Sequence, residues 1–312
     1  MSRAPLHDID GVLLLDKPRG IGSTEALNRV RRLLGVRKGG HGGTLDPMAT
    51  GLLPLAFGLA TRFAHESLDA PKTYRATMLF GVTTDSGDAD GVRQHERPVA
   101  VDDILFRAAA DAFTGEIEQI PPMHSALKHA GRPLYEYARE GQVIERAARR
   151  VRIDAIDLIA LSAVPGMTSG SPASMSADIR VQCSKGTYIR TLAADLGERL
   201  GCGAHLVALR REAVGQLTVD DAVTIEALEA MEPAARLQRL LGSDALMAPL
   251  RPVALDPPLA RRFLQGQRLR LATACGSAAN ERVRVYEGPR LIGTASLVDG
   301  LLVPLRLVPA AA

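Results

Sequence analysis

His41-Gly-Gly-Thr-Leu-Asp-Pro-Met-Ala-Thr-Gly51 is the stretch from which the rest of the chain can be read. Asp46 stands immediately before Pro47, and a residue before proline is held extended and kept out of a helix. Glycines at 39, 40, 42 and 43 let other backbone or a ligand come close. Behind this loop, residues 49–60 are nearly all apolar, with glycines at 51 and 58, and read as a buried segment. Taken alone, Asp46 is either a presented carboxylate or the cap of the next segment. A nucleoside-triphosphate loop is excluded, because Gly-Gly-Thr lacks the Gly-Lys-Ser/Thr ending such loops use.

Upstream, Gly11-Val-Leu-Leu-Leu15 is a short apolar run ended by Asp16-Lys-Pro-Arg-Gly20, a buried strand entering a turn. A helix comes next, with Ser23 or Thr24 as its N-cap, Ala26, Leu27, Val30, Leu33 and Leu34 at helical spacing, and Gly35 as its stop. Downstream, residues 74–81 read as a strand and 104–113 as a helix. Residues 119–152 are basic and turn-rich, an excursion off the main body. Strands over 153–161 and 176–182 flank a low-complexity hairpin tip at Pro165–Ser174. Residues 187–200 then give a helix closed by Gly201-Cys-Gly203, and 206–214 an apolar-basic strip. The pattern is α+β. A composition shift at 249–258 and short β-like runs at 282–286, 291–297 and 301–307 predict two domains, a catalytic body over 1–248 and a small β domain over 249–312.

The 312 residues, 46% hydrophobic and 23% charged, can bury a substantial core. The first ten residues carry Asp8 and Asp10 and lack a signal peptide's apolar run, and no stretch reaches the roughly 18 apolar residues of a membrane span. A soluble, cytoplasmic protein is expected. Cys183, Cys202 and Cys275 are widely spaced and lack metal-ligand intervals, so free thiols and no structural zinc are expected. The net charge of +3 says little, but its distribution is uneven. Residues 121–152 hold seven Lys/Arg against three acids, whereas 85–118 hold nine acids against three bases. The basic segment either faces phosphates or is a solvated face.

The runs Gly11-Val-Leu-Leu-Leu-Asp-Lys-Pro18, Gly40-His-Gly-Gly-Thr-Leu-Asp-Pro-Met-Ala-Thr-Gly-Leu-Leu-Pro54, Lys72-Thr-Tyr-Arg75, Pro121-Pro-Met-His-Ser-Ala-Leu-Lys128, Arg132-Pro-Leu-Tyr-Glu-Tyr-Ala138 and Cys183-Ser-Lys-Gly-Thr-Tyr-Ile-Arg-Thr-Leu192 resemble, in order, the bacterial TruB family of tRNA pseudouridine-55 synthases. The likeness spans residues 10–215 and is looser beyond. Gly43-Thr44 and Pro121-Pro122 depart from the family's usual pairs without touching a proposed catalytic group.

The resemblance implies a pseudouridine synthase fold: a mixed, mainly antiparallel central sheet flanked by helices and loops, with a small PUA-like C-terminal β domain. It implies conversion of a T-loop uridine of tRNA to pseudouridine by flipping the base, breaking the glycosidic bond and joining C5 to C1′. No redox step occurs, so no cofactor is expected. Asp46 matches the central catalytic aspartate, and whether it attacks C1′, attacks C6 or assists elimination stays open. Arg190 matches an arginine whose bidentate fork orients that aspartate and keeps it ionised. Tyr74 matches a tyrosine that stacks on the target base, and His41 a histidine that fills the vacated stack. Lys17, Tyr188 and Leu209 fall where the family lines or supports the pocket. The 119–152 excursion resembles the family's RNA clamp, with Lys128 and Arg132 among its phosphate-facing cations, while Tyr135 and Tyr137 are expected to pack at helical spacing.

Without the family, blander readings stand beside each residue: a surface charge for Arg190, a core aromatic for Tyr74, a solvated side chain for His41, scaffold for Lys17 and Leu209. Asp85-Ser-Gly-Asp-Ala-Asp-Gly91 is misphased for a calcium loop and reads as a turn, matching the family's T-D-x-x-D-x-x-G segment. The rival functions are a non-catalytic RNA-binding or RNA-folding protein, which would lose Asp46, Tyr74 or Arg190, and a guide-dependent synthase, which would not need the basic clamp. A monomer acting on the tRNA T-arm without an obligatory protein partner is expected.

Overall fold

The computed structural model describes residues 9–164, 174–271 and 280–308. The expectations for Cys275, for nearly all of the 165–174 hairpin tip and for the first eight residues lie outside these. Among the described residues no helix is long and apolar enough to cross a membrane.

The chain builds a mixed sheet whose main path runs Gly11–Lys17, Thr50–Phe57, Ala204–Val214, Lys72–Phe80, Ser174–Cys183, Arg149–Val164, Gly115–Gln119. Its pairings are antiparallel except where Ala204–Val214 runs parallel to Thr50–Phe57. Thr50–Phe57 lies inside the sheet, which is why it reads as an unbroken apolar run rather than an alternating one: Leu52, Leu53, Leu55, Ala56 and Phe57 are all buried. Ser23–Leu34 lays Ala26, Leu27, Val30 and Leu34 against the core, and Gly35 ends it in the left-handed region with φ +65°.

The N-cap of that helix differs from expectation. Gly22 takes the position without a side-chain bond. The Ser23 hydroxyl instead accepts from the Leu45 amide at 2.8 Å and donates to the Leu45 carbonyl at 3.1 Å. A serine can satisfy its own helix or a neighbouring loop. Here the buried Leu45 peptide would otherwise be orphaned, at a cost of about 1–3 kcal/mol, whereas the first helical amides can be solvated.

The expected 104–113 helix is Asp103–Asp111, capped by Asp102, whose carboxylate accepts from the Leu105 amide. Within the basic excursion lie a two-stranded pair, Lys128–His129 with Arg132–Pro133, and the helix Leu134–Arg139. Strands Glu281–Glu287, Arg290–Val298 and Leu301–Leu307 form an antiparallel unit with its own core of Phe263, Val283, Val285, Ile292, Leu297 and Leu302. Arg251–Leu255 joins this sheet in parallel, and Asp256 caps a helix, Pro257–Leu264, that closes the core. Phe63, Met247 and Val308 pack together where this unit meets the larger body, beside an ion pair between Arg282 and Glu66.

Candidate active site

Two glycines let the Asp46 loop sit where it does. Gly51 has φ +99°, and a Cβ there would fall 2.3 Å from the Arg211 carbonyl oxygen, so only glycine lets the two strands run this close. At Gly42 a Cβ would lie 2.3 Å from the Ser67 side chain. Between them the loop is pinned by Ser23 at Leu45 and by the Gly20 amide, which donates to the Pro47 carbonyl at 2.7 Å. Asp46 is thereby presented at the bottom of a cleft of about 350 Å³, lined among others by Lys72, Tyr74, Ser125, Tyr188, Leu209 and Arg211.

Arg190, in the first turn of Ile189–Arg199, is 5% exposed, and its Nε lies 3.0 Å from Asp46 Oδ2. The expected two-pronged fork does not form. One terminal nitrogen donates to the Ser86 carbonyl at 2.9 Å and faces Asp88 at 3.4 Å, and the other donates to the His124 carbonyl at 2.5 Å. The guanidinium is shared because three segments converge on it: the Asp46 loop, the 84–91 turn and the base of the 119–152 excursion. Asp88, read from sequence as a turn residue, is buried and accepts from the Ser86 hydroxyl at 2.6 Å. Its signal was its place in the T-D-x-x-D-x-x-G pattern.

A third of the Asp46 side chain faces the cleft, yet protein surrounds the carboxylate closely enough that burial raises its pKa. Asp88 adds to the rise, while Arg190 and Lys17 oppose it. Arg190 therefore orients this acid and only partly offsets the cost of ionising it. If Asp46 is the group that reacts it must be ionised, and kcat/KM is then expected to fall with acid at a midpoint above the usual carboxylate value of about 4. A pH profile of single-turnover conversion checks this, and a midpoint at or below about 4 contradicts it. The stability sign is opposite. The folded chain holds this proton more tightly than the unfolded one, so Asp46's contribution is present below the unfolded pKa and lost as pH rises through the raised folded value.

Tyr74 and Leu209 line the cleft from adjacent strands and are both nearly buried. Burial raises the Tyr74 pKa against the opposing charge of Arg211, so the phenol is neutral at pH 7. Tyr188 also lines the cleft, and the buried Gln119 clamps its backbone: the Tyr188 amide donates to Oε1 at 3.0 Å and Nε2 donates to the Tyr188 carbonyl at 3.3 Å. His41 is half-buried on the short strand Gly39–His41, its Nδ1 without a partner among the described residues. Burial lowers its pKa, so it is neutral.

Lys17, expected to line or support the pocket, takes a supporting place, and Arg132, expected to face phosphate, is met by acids. Lys17 is fully buried behind the loop, and its ammonium donates to the Pro18 and Ile21 carbonyls at 2.8 Å each. With two of its three donors given to the turn, it supports the site from behind the loop. Arg132 is engaged by Glu136 at 2.8 Å and by Glu140 at 2.9 Å, and it lies over the Tyr137 ring. Those acids satisfy the cation that was expected to meet phosphate, whereas Lys128 is exposed. Tyr135 packs similarly under Arg139.

Sequence reasoning missed Arg211. It is 1% exposed, donates from Nε to the Leu52 carbonyl at 2.7 Å and from a terminal nitrogen to the Gly43 carbonyl at 3.2 Å, and so ties both flanks of the Asp46 loop. It pairs in register with Tyr74 on one side and Gly51 on the other. The available signal was a charge at a position where Leu209 and Tyr74 mark an inward face.

Comparison with known proteins gives a consistent picture. The model described as TruB family pseudouridylate synthase, N-terminal domain, matches residues 31–189. Those of the tRNA pseudouridylate synthase B C-terminal domain and the pseudouridine synthase II TruB C-terminus match 190–254 and 252–308. A tRNA pseudouridine synthase B of Ralstonia nicotianae is 54% identical over 98% of this chain and 96% of its own length. One from Burkholderia pseudomallei is 52% identical over 96% of this chain and 97% of its own. Among solved structures, an H/ACA RNP bound to a substrate RNA containing 2′-deoxyuridine matches with a TM-score of 0.70 at 22% identity, covering 96% of this chain and 84% of that one. An archaeal Nop10–Cbf5 complex matches with a TM-score of 0.68, also at 22% identity, over 96% of this chain and 85% of the other. At that identity the likeness concerns the fold.

Proposed function

This chain belongs to the TruB family of pseudouridine synthases, and we propose that Asp46 is the central group with which it isomerises the T-loop uridine at position 55 of transfer RNA. The protein is an isomerase that converts uridine of tRNA to pseudouridine. The observation that carries the assignment of Asp46 is its carboxylate at the bottom of a cleft, held at 3.0 Å by the buried Arg190.

A uridine stacked in an RNA loop cannot reach such a carboxylate, so the nucleotide must leave the stack and enter the cleft. The cleft offers it the neutral Tyr74 ring and the Leu209 side chain as apolar surfaces. His41, neutral and half-buried, suits the space the base leaves behind. Asp46 then acts at the sugar or the ring, the glycosidic bond breaks, uracil turns, and C5 joins C1′. Arg190 and the Gln119 clamp on Tyr188 keep the acid and one wall of the cleft in place, so little reorganisation is needed during the reaction.

In the same reading, residues 1–248 form the catalytic unit and 249–312 the small β domain. The exposed cations of 119–152, Lys128, Arg139, Arg149 and Arg150, neutralise T-arm phosphates, which makes affinity salt-dependent while shape and the flipped base select the site. The protein works in the cytoplasm as a monomer with no obligatory protein partner.

Tritium release from an isolated T-arm stem-loop labelled at uridine C5 tests this. Release by the chain alone is expected. An inert chain on this RNA, active only with added guide components, would overturn stand-alone tRNA modification.

A further inference from the structure

Four buried cations lie at or behind the cleft, and among the described residues three of them, Lys17, Lys72 and Arg211, form no salt bridge, Lys17 feeling Asp46 only from a distance. Arg190 holds Asp46 and Asp88. Among the described residues Lys17, Lys72 and Arg211 instead donate to main-chain carbonyls: Lys17 to Pro18 and Ile21, Lys72 to Ser67, Leu68 and Ala70, Arg211 to Leu52 and Gly43. Of these three, Lys72 and Arg211 line the cleft, at 7% and 1% exposure. Carbonyl dipoles only partly replace a counter-ion, and a buried cation without one is costly. Burial pushes the Lys72 ammonium down to about 8, with Arg211 adding to the effect. Such an arrangement suits an anion that forms in the cleft during the reaction.

We propose that Arg211, with Lys72 beside it, is an anion-stabilising floor that meets uracil as it leaves C1′. The inference rests on the reading that this cleft takes the target uridine. When the C1′–N1 bond breaks, its electron pair passes to N1 and is shared with the ring carbonyl oxygens, so the base departs as an anion. In the version with attack at C1′, an Asp46 oxygen forms the bond to C1′ that N1 gives up. The turned ring then bonds C1′ through C5, the Asp46 carboxylate is released with its electron pair, the C5 proton is lost and N1 is protonated. Nothing is oxidised or reduced. A fixed guanidinium beside the leaving ring lowers the energy of the charged stage far more than that of the neutral uridine. The Tyr74 phenol, paired in register with Arg211, carries the ring on the same face of the sheet. The two carbonyl bonds fix the guanidinium before substrate enters.

The alternative anion is a backbone phosphate of the bound nucleotide, and the test separates the two. Single-turnover cleavage of the target C1′–N1 bond, the step both bases share because a C5 fluorine leaves no proton to be lost afterwards, is measured for T-arm RNA with uridine or 5-fluorouridine at the target, alongside the Kd for RNA. Fluorine withdraws electrons and stabilises the ring anion, so the fluorinated base needs less help from the protein. Arg211→Gln is expected to slow uridine conversion about 10²- to 10³-fold, as loss of one such donor does elsewhere, with a loss at least about tenfold smaller on the fluorinated substrate. Arg211→Lys, which keeps the charge, recovers part of the rate, and Kd stays within about threefold because most affinity comes from phosphates elsewhere.

Equal losses on both substrates would mean that Arg211 only holds the loop and would overturn the inference. A weakened Kd without leaving-group dependence would assign the cations to phosphate and overturn it as well. Should Arg211→Gln lose its folded circular dichroism, Arg211→Lys and Lys72→Met carry the same comparison, and equal losses there have the same consequence. A wild-type chain inert on both RNAs overturns the function and this inference together, whereas an active one with equal losses overturns this inference alone.

Discussion

Asp46→Asn is expected to abolish tritium release from C5-labelled T-arm RNA, lowering the single-turnover rate by at least about 10⁴-fold, as removal of a nucleophile does in other enzymes. The amide keeps the size and hydrogen-bonding reach of the carboxylate but carries no charge and cannot form the bond to the reacting carbon. RNA affinity is expected to persist, because in the proposed reading it comes from phosphate contacts of exposed cations outside the Asp46 loop. A gel shift measures that half of the prediction, and complex formation within about threefold of wild type is the expected result. The variant should also fold at least as well. Burial disfavours the ionised form of Asp46, and the asparagine removes that penalty along with its partial compensation from Arg190. Release at the wild-type rate would sink the assignment of Asp46, and loss of the gel-shift complex would show that the loop contributes more to binding than to chemistry.

Arg190→Ala is expected to damage both stability and rate. Its guanidinium is 5% exposed and serves Asp46, Asp88, the Ser86 carbonyl and the His124 carbonyl together. Removing it strands the buried Asp88 and leaves two carbonyls unpaired, a loss of about 3–5 kcal/mol for breaking a buried pair from one side. The rate should fall by at least about 10²-fold because Asp46 loses its orienting partner and the neighbouring cation that favours its ionised form. Urea denaturation and single-turnover conversion read the two effects separately. Adding Asp88→Asn to Arg190→Ala should restore part of the stability, since the stranded charge is gone, and none of the rate. An unchanged urea midpoint in the single variant would contradict the convergence of three segments on this side chain.

Much of this architecture was legible in one dimension because local chemistry and tertiary role coincide. Periodicity located Ser23–Leu34 and its Gly35 stop, and near-continuous apolarity over 49–60 marked a buried segment, which the structure resolves as the strand Thr50–Phe57. The β-like runs beyond residue 280 emerged as strands with nearly the expected limits. Asp46 could be singled out because proline and glycine constrain backbone wherever they occur, and the ordered motifs identified Tyr74 and Arg190. Sequence could not decide which partner each polar group would choose. Ser23 had a helix to cap and spent its hydroxyl on Leu45, and Arg132, expected to face phosphate, met two glutamates. Lys17 and Arg211 became buried donors to carbonyls, and the Arg190 fork was divided between Asp46 and carbonyls 66 and 104 positions away in the chain. Backbone preferences are local and survive in any context, so most elements and the loop that holds Asp46 could be read along the chain. Hydrogen-bond and charge partners depend on which groups folding removes from water together, and those choices are made in three dimensions.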